Sequence, residues 1–159
     1  MPDAYGNLLS QSEFADDVCV RLHSYLDSEN LVLALALDGA FIHNLANGPL
    51  IDNTVFTCGQ VDGGFVLSLQ QAEFGGPRMN WYPWDKPQFL LIENDFGGYY
   101  QSQFVFTVDM VQGPWFALNN YDHSRVADVK ESATAEGSAV IAWGWNGGAN
   151  QIWRAQIFS

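Results

Sequence analysis

Positive charge is scarce in this chain. Six Lys and Arg stand against 18 Asp and Glu, for a formal net charge of −12. Binding to nucleic acid works by neutralising phosphates, so this balance argues against nucleic-acid partners. Anionic membrane surfaces are disfavoured for the same reason. Cysteine is nearly absent: Cys19 and Cys58 are too few for a disulfide-rich scaffold. They could form one bridge, but two buried thiols are the simpler expectation. No long hydrophobic run occurs. LVLALAL (Leu31 to Leu37) is far too short to span a bilayer and ends at Asp38-Gly39, so no membrane insertion is expected. The opening MPDAYGNLLS has neither a basic segment nor a long apolar one, and no Asn-x-Ser/Thr acceptor occurs anywhere. A cytoplasmic protein is the expectation, with unconventional export left open. Phosphate-binding glycine loops and cofactor motifs are also missing, and no cofactor is expected.

Apolar and aromatic residues are abundant. Hydrophobic residues make up 48% and charged ones only 15%, a composition for a packed core rather than for disorder. At 159 residues the chain fits one domain, residues 1–159. Aromatics reach 14%, which suits β structure and stacking surfaces. One segment, Ser12 to Leu26, has helical spacing at Phe14, Val18, Leu22 and Tyr25 or Leu26, yet it also contains the strand-like VCVRL. Elsewhere short apolar runs alternate with Gly, Asn, Asp and Pro: LVLALAL, AFIHNL, PLIDN, FVLSL, QFLLIE, FVFTVDMV, WFALN, RVADV, AVIAW and QIWRAQIF. Many short strands at close spacing predict an all-β barrel or sandwich.

Internal similarity sharpens this. GGPRMNW (Gly75 to Trp81) matches GGANQIW (Gly147 to Trp153) in length, glycine pair and terminal Trp. FIHNLANGPLID (Phe41 to Asp52) runs beside FALNNYDHSRVAD (Phe116 to Asp128), and DGGFVLSL (Asp62 to Leu69) beside EGSAVIAW (Glu136 to Trp143). The pattern suggests a unit of about 40 residues present twice. A worn first copy would place Asp17 at the Asp position and LVLALAL as the last strand. Gln88 to Val108 would then be an elaboration between copies, and the reverse assignment is equally open.

The best copy comprises RVADV (Arg125 to Val129), EGSAVIAW (Glu136 to Trp143) and NGGANQIW (Asn146 to Trp153). In this order the three segments resemble the repeat of the ricin-B-type lectins. The resemblance is good over Phe116 to Phe158, fair over Ala40 to Trp81 and poor elsewhere. It implies a β-trefoil of three pseudo-repeats of four strands, with the C-terminal repeat best preserved. It also implies that Trp153, the Trp of Gln-x-Trp, packs in the core.

A sugar presents hydroxyls around one apolar C–H face, so its site needs a fixed carboxylate or amide and an aromatic plate. By resemblance these are Asp128, Trp143 and Asn150, with Gln151 supporting the Asp, and the implied ligand is a galactose-type glycan. Trp145, in the turn, is a second stacking candidate. Many family members carry Gln two residues before the aromatic, where this chain has Ile141. Strand alternation puts Ile141 and Trp143 on one face, which leaves Trp143 as either surface plate or core filler. The second copy keeps Asp52, but it has Leu69 at the plate position and Arg78 and Met79 at the amide positions, so one competent site is expected.

No constellation supports an enzyme. His23, His43 and His123 are far apart in sequence, and Asp122-His123-Ser124 are adjacent side chains that cannot line up as a triad. His43 and Cys58 lack zinc spacing. The stretch GGPRMNWYPWDKP (Gly75 to Pro87) is read as a proline-stiffened loop with Trp81 in the core. The alternative is an exposed recognition surface built on Trp81, Tyr82 and Trp84. Two functions therefore stand: a lectin with one C-terminal site, or a trefoil without sugar binding that acts through protein contacts, as an accessory subunit or protease inhibitor.

Overall fold

Strand pairing closes a six-stranded ring. The computed structural model describes residues 2–36, 39–69, 78–82, 88–92 and 105–158, with backbone alone for 78–82 and 88–92. Its twelve strands are β1 (Cys19–Ser24), β2 (Leu31–Ala36), β3 (Gly39–Asn44), β4 (Phe56–Val61), β5 (Gly64–Leu69), β6 (Arg78–Tyr82), β7 (Gln88–Ile92), β8 (Phe106–Gln112), β9 (Trp115–Asn120), β10 (Val126–Val129), β11 (Ala139–Trp143) and β12 (Trp153–Ile157). The ring runs β1–β12–β9–β8–β5–β4 and back to β1, every pair antiparallel. The remaining strands form the hairpins β2–β3, β6–β7 and β10–β11. Each group of four consecutive strands thus gives its first and fourth to the barrel and its second and third to a hairpin. This is a β-trefoil.

Alternation along the strands fills the barrel. Val20 and Leu22 of β1, Phe65 of β5, Phe106 of β8 and Phe116 of β9 are buried in one cluster with Trp153. Phe14 enters from the N-terminal segment, stacked on Phe65 at 4.4 Å and edge-on to Phe116 at 5.7 Å. The ambiguous segment Ser12 to Leu26 resolves as strand β1 flanked by 3-10 turns at Gln11–Glu13 and Tyr25–Asp27. Its apolar residues serve an alternating pattern that joins β12 and β4, and those sheet bonds outweigh a weak helical period. Among the described residues no helix is long and apolar enough to cross a membrane.

The inferred repeat register is corrected. The four-strand units are β1–β4, β5–β8 and β9–β12. The copy read over Phe116 to Phe158 coincides with the third, but the copy read over Ala40 to Trp81 straddles the first two. Phe41 lies in β3, DGGFVLSL ends in β5, and Trp81 lies in β6. LVLALA is a second strand rather than a last one, and Asp17 precedes β1. Gln88 to Val108 is no elaboration, since it contains β7 and the start of β8. PLIDN is not a strand. Ile51–Thr54 form the short helix α1, entered through Leu50 in a left-handed conformation (φ 38°) and backed by the Thr54 hydroxyl donating to the Leu50 carbonyl at 2.8 Å. FTCGQV, too polar to read as a strand, is β4.

The two cysteines are free. Cys19 pairs with Thr57 across β1–β4 and contacts its hydroxyl, whereas Cys58 faces the core. The two side chains therefore sit on opposite faces of the sheet and cannot bridge. Only Cys58 is fully buried, and burial, with Cys19 adding to it, pushes its thiol up to about 12.

Candidate sugar-binding site

In the β10–β11 hairpin, Ala127 and Val129 face the core together with Val140 and Ala142. Alternation turns Asp128, Ile141 and Trp143 to the outer face. Asp128 pairs directly with Ile141, and Trp143, opposite Val126, is its diagonal neighbour. Trp143 is 52% exposed, so it lies at the surface and is not a core filler. Trp145 is exposed to the same degree, close to Gly147.

The turn before β12 closes the site from the other side. Asn150 Nδ2 donates to Asp128 Oδ1 at 3.0 Å and to the Val129 carbonyl at 3.0 Å. Gln151 Nε2 donates to Asp128 Oδ2 at 2.8 Å and to the Gly144 carbonyl at 2.8 Å. Gln151 Oε1 accepts from the Asn146 N–H at 2.8 Å. Gln151 is fully buried and Asp128 only 4% exposed. Burial raises the Asp128 carboxyl above the usual range, while the bonds from Gln151 and Asn150 act the other way. Trp153 anchors the turn: it is buried, and its indole N–H donates to the Ala127 carbonyl at 3.1 Å.

The structure thus brings Asp128, Asn150 and Gln151 into direct contact, with Trp143 on the same hairpin face as Asp128. Asn146 was not singled out from sequence. Its side-chain oxygen accepts from the Gly148 N–H at 2.8 Å and shapes the turn. An added Cβ at Gly148 would lie 2.5 Å from Asn150 Oδ1, so the bare glycine is what lets the amide sit there. The run Asn-Gly-Gly carried that signal. Ile141 puts an aliphatic side chain opposite Asp128 where the resemblance leads one to expect an amide.

The second copy, from which no competent site is expected, draws its counterpart residues from three elements. Asp52 lies in α1, Leu69 ends β5, and Arg78 and Met79 are in β6, so they belong to separate elements of two repeats. Gly75 to Pro77 and residues 83–87 of the aromatic stretch lie outside the described residues. A chemical cluster forms elsewhere. His123 Nδ1 lies 3.3 Å from Asp109 Oδ2, and its Nε2 lies 3.5 Å from the Thr107 hydroxyl. That hydroxyl is buried and shared with the Asn120 carbonyl at 3.5 Å, so it is not presented to a substrate. Among the described residues no group of three His, Cys, Asp or Glu could hold a metal ion.

No family model matches the chain, and no curated protein matches it. Solved structures do. ThreeFoil, a designed threefold-symmetric protein, is similar with a TM-score of 0.70 and 17% identity, over 88% of this chain and 99% of that one. The C-half of the earthworm R-type lectin, solved in complex with GalNAc, is similar at TM-score 0.62 and 16% identity, over 89% and 99%. A proteinase inhibitor from Coprinopsis cinerea is similar at TM-score 0.60 and 13% identity, over 90% and 99%. The chain spans only 16% of a mosquitocidal holotoxin and 31% of a Clostridium thermocellum exo-beta-1,3-galactanase that it also resembles. The protein belongs to the class of β-trefoils. Its structural neighbours include an R-type lectin and a proteinase inhibitor, and at these identities the likeness establishes the fold alone.

Proposed function

We propose that this trefoil binds a neutral, galactose-type glycan at one site in its third repeat. Asp128 and Asn150 exchange hydrogen bonds with vicinal hydroxyls, Trp143 or Trp145 stacks beneath the apolar sugar face, and Gln151 orients the carboxylate. The observation that carries this reading is the Asp128 carboxylate. Both of its oxygens are held by side-chain amides, and the half-exposed Trp143 is its diagonal neighbour across β10–β11. A turn that needed only a cap would not require that arrangement.

A glycan array with the purified protein tests it. Asp128→Ala and Trp143→Ala should each lose the hit, since one charge-assisted hydrogen bond or one stacking plate is worth roughly tenfold or more in affinity. The fold should survive in both. Trp143 is exposed, and without Asp128 each amide keeps a backbone acceptor, Val129 for Asn150 and Gly144 for Gln151. Undiminished binding in both variants sinks the site.

A second reading rests on Ile141, which denies the site one polar contact. On that reading the trefoil acts through protein contacts, as an inhibitor or accessory subunit. Silence across the array from folded protein would favour it, and inhibition of a protease panel would establish the inhibitor form.

A further inference from the structure

His43, in β3, is buried at 5% exposure, and both its ring nitrogens face oxygen acceptors. Nε2 lies 2.6 Å from the Gly48 carbonyl and Nδ1 lies 3.0 Å from Oε2 of Glu136. A carbonyl oxygen only accepts, so Nε2 carries a proton in either charge state. The neutral ring would then turn its Nδ1 lone pair on a carboxylate, and only the imidazolium donates to both partners. Glu136 is held in place from its other oxygen, which accepts from the Asn44 N–H at 2.9 Å and from Asn47 Nδ2 at 3.0 Å. Burial works to raise its carboxyl, but these bonds and the bond from His43 more than offset that and hold it below the usual value. The strands packed around β3 are β2, β7 and β11, and none contains an ionisable residue. Glu136 is the ionisable group in contact with the ring among the described residues.

This pair joins distant parts of the chain. Glu136 belongs to the β10–β11 loop of the third repeat, whereas His43 and Gly48 belong to the first. Two backbone bonds flank it, Gly137 N–H to Ile42 O and Ile42 N–H to Ser138 O, each 2.8 Å. Gly48 also opens a pinned turn. Arg21 Nη2 donates to the Pro49 carbonyl at 2.8 Å, and Leu50 beyond it sits at φ 38°, ψ 53°, with Leu50 and Ile51 both exposed. A bulky side chain stays in that conformation only where its surroundings enforce it.

We propose that His43 and Glu136 form a proton-operated latch that clamps the β10–β11 loop and the Gly48–Ile51 turn onto the first repeat. The latch is closed while the imidazolium is present and opens when the ring loses its proton. Acid opens it too, once Glu136 is protonated below its lowered pKa.

NMR titration of the His43 ring, combined with amide-exchange protection factors for residues 45–51 and 133–138, tests this in the wild type and in Glu136→Gln. In the wild type both His43 nitrogens should carry protons wherever the two segments are protected. Protection in the two segments should fall tenfold or more as pH rises through the His43 titration. In Glu136→Gln protection should no longer follow the charge state of the ring. Protection that ignores the charge state of the ring in the wild type, or that follows it equally in Glu136→Gln, would overturn the latch. If Glu136→Gln fails to fold, the wild type still decides, because protected segments around a neutral His43 ring exclude a charged clamp.

Discussion

Single side chains set the chemistry at two buried polar positions. Gln151 is the hub of the candidate site, with bonds to Asp128, to the Gly144 carbonyl and from the Asn146 N–H. Gln151→Ala should cost about 3 kcal/mol, measured by urea unfolding, because it strips partners from groups that stay buried. His23 offers a pH test. Burial, then the charge of Arg154, lowers it from 6.5 to about 4, with the Ser28 backbone acting the other way. The unfolded chain takes up a proton near 6.5 and the folded protein only near 4. The associated stability is therefore fully present above pH 6.5 and is lost as pH falls towards 4, to the extent of about 3 kcal/mol. His23→Leu should flatten that part of the stability profile. An unchanged slope between pH 6.5 and 4 would show that another group titrates there. None of this is legible at His23 in the sequence, where a histidine between two strand residues looks the same whether wet or dry.

At the scale of elements, hairpin geometry decides what the site can hold. Two-residue alternation was readable in AVIAW, but only the structure decides the side, with Val140 and Ala142 in the core and Trp143 outside. The register of Asp128 against Ile141 was not readable, since it depends on the long loop between the two strands. Barrel closure makes its own demand at Gly64, where an added Cβ would lie 2.2 Å from the Phe106 carbonyl and 2.8 Å from Val105 Cγ1. A backbone oxygen cannot rotate away. Gly64→Ala should therefore push β5 off β8 and cost about 3 kcal/mol. Differential scanning calorimetry should show a fall of roughly 6–12 °C, and an unchanged midpoint would mean that the barrel yields there.

Across the whole molecule the net charge of −12 makes a further prediction. A neutral glycan held by hydrogen bonds and stacking releases no counterions, so its affinity should change less than about threefold between 50 mM and 500 mM salt. A steep decline by isothermal titration would instead identify a charged ligand. The same charge keeps copies of the protein apart and disfavours polyanions, but it has no bearing on the fold.

The sequence by itself determined the all-β class, because period-2 apolar runs between turn residues cannot bury their faces as helices. It also determined the third repeat, where Val-x-Asp-Val, the strand ending in Trp143 and Asn-Gln-x-Trp occur in order. Tertiary structure alone decided the boundaries of the first two repeats. Glycine turns and strand-ending aromatics occur in barrel pairs and hairpins alike, so local signals could not tell Trp81 of β6 from Trp153 of β12. It alone separated Cys19 from Cys58 and set His43 against Glu136, 93 residues away. Such contacts arise only when the barrel closes, and no local pattern in the chain encodes them.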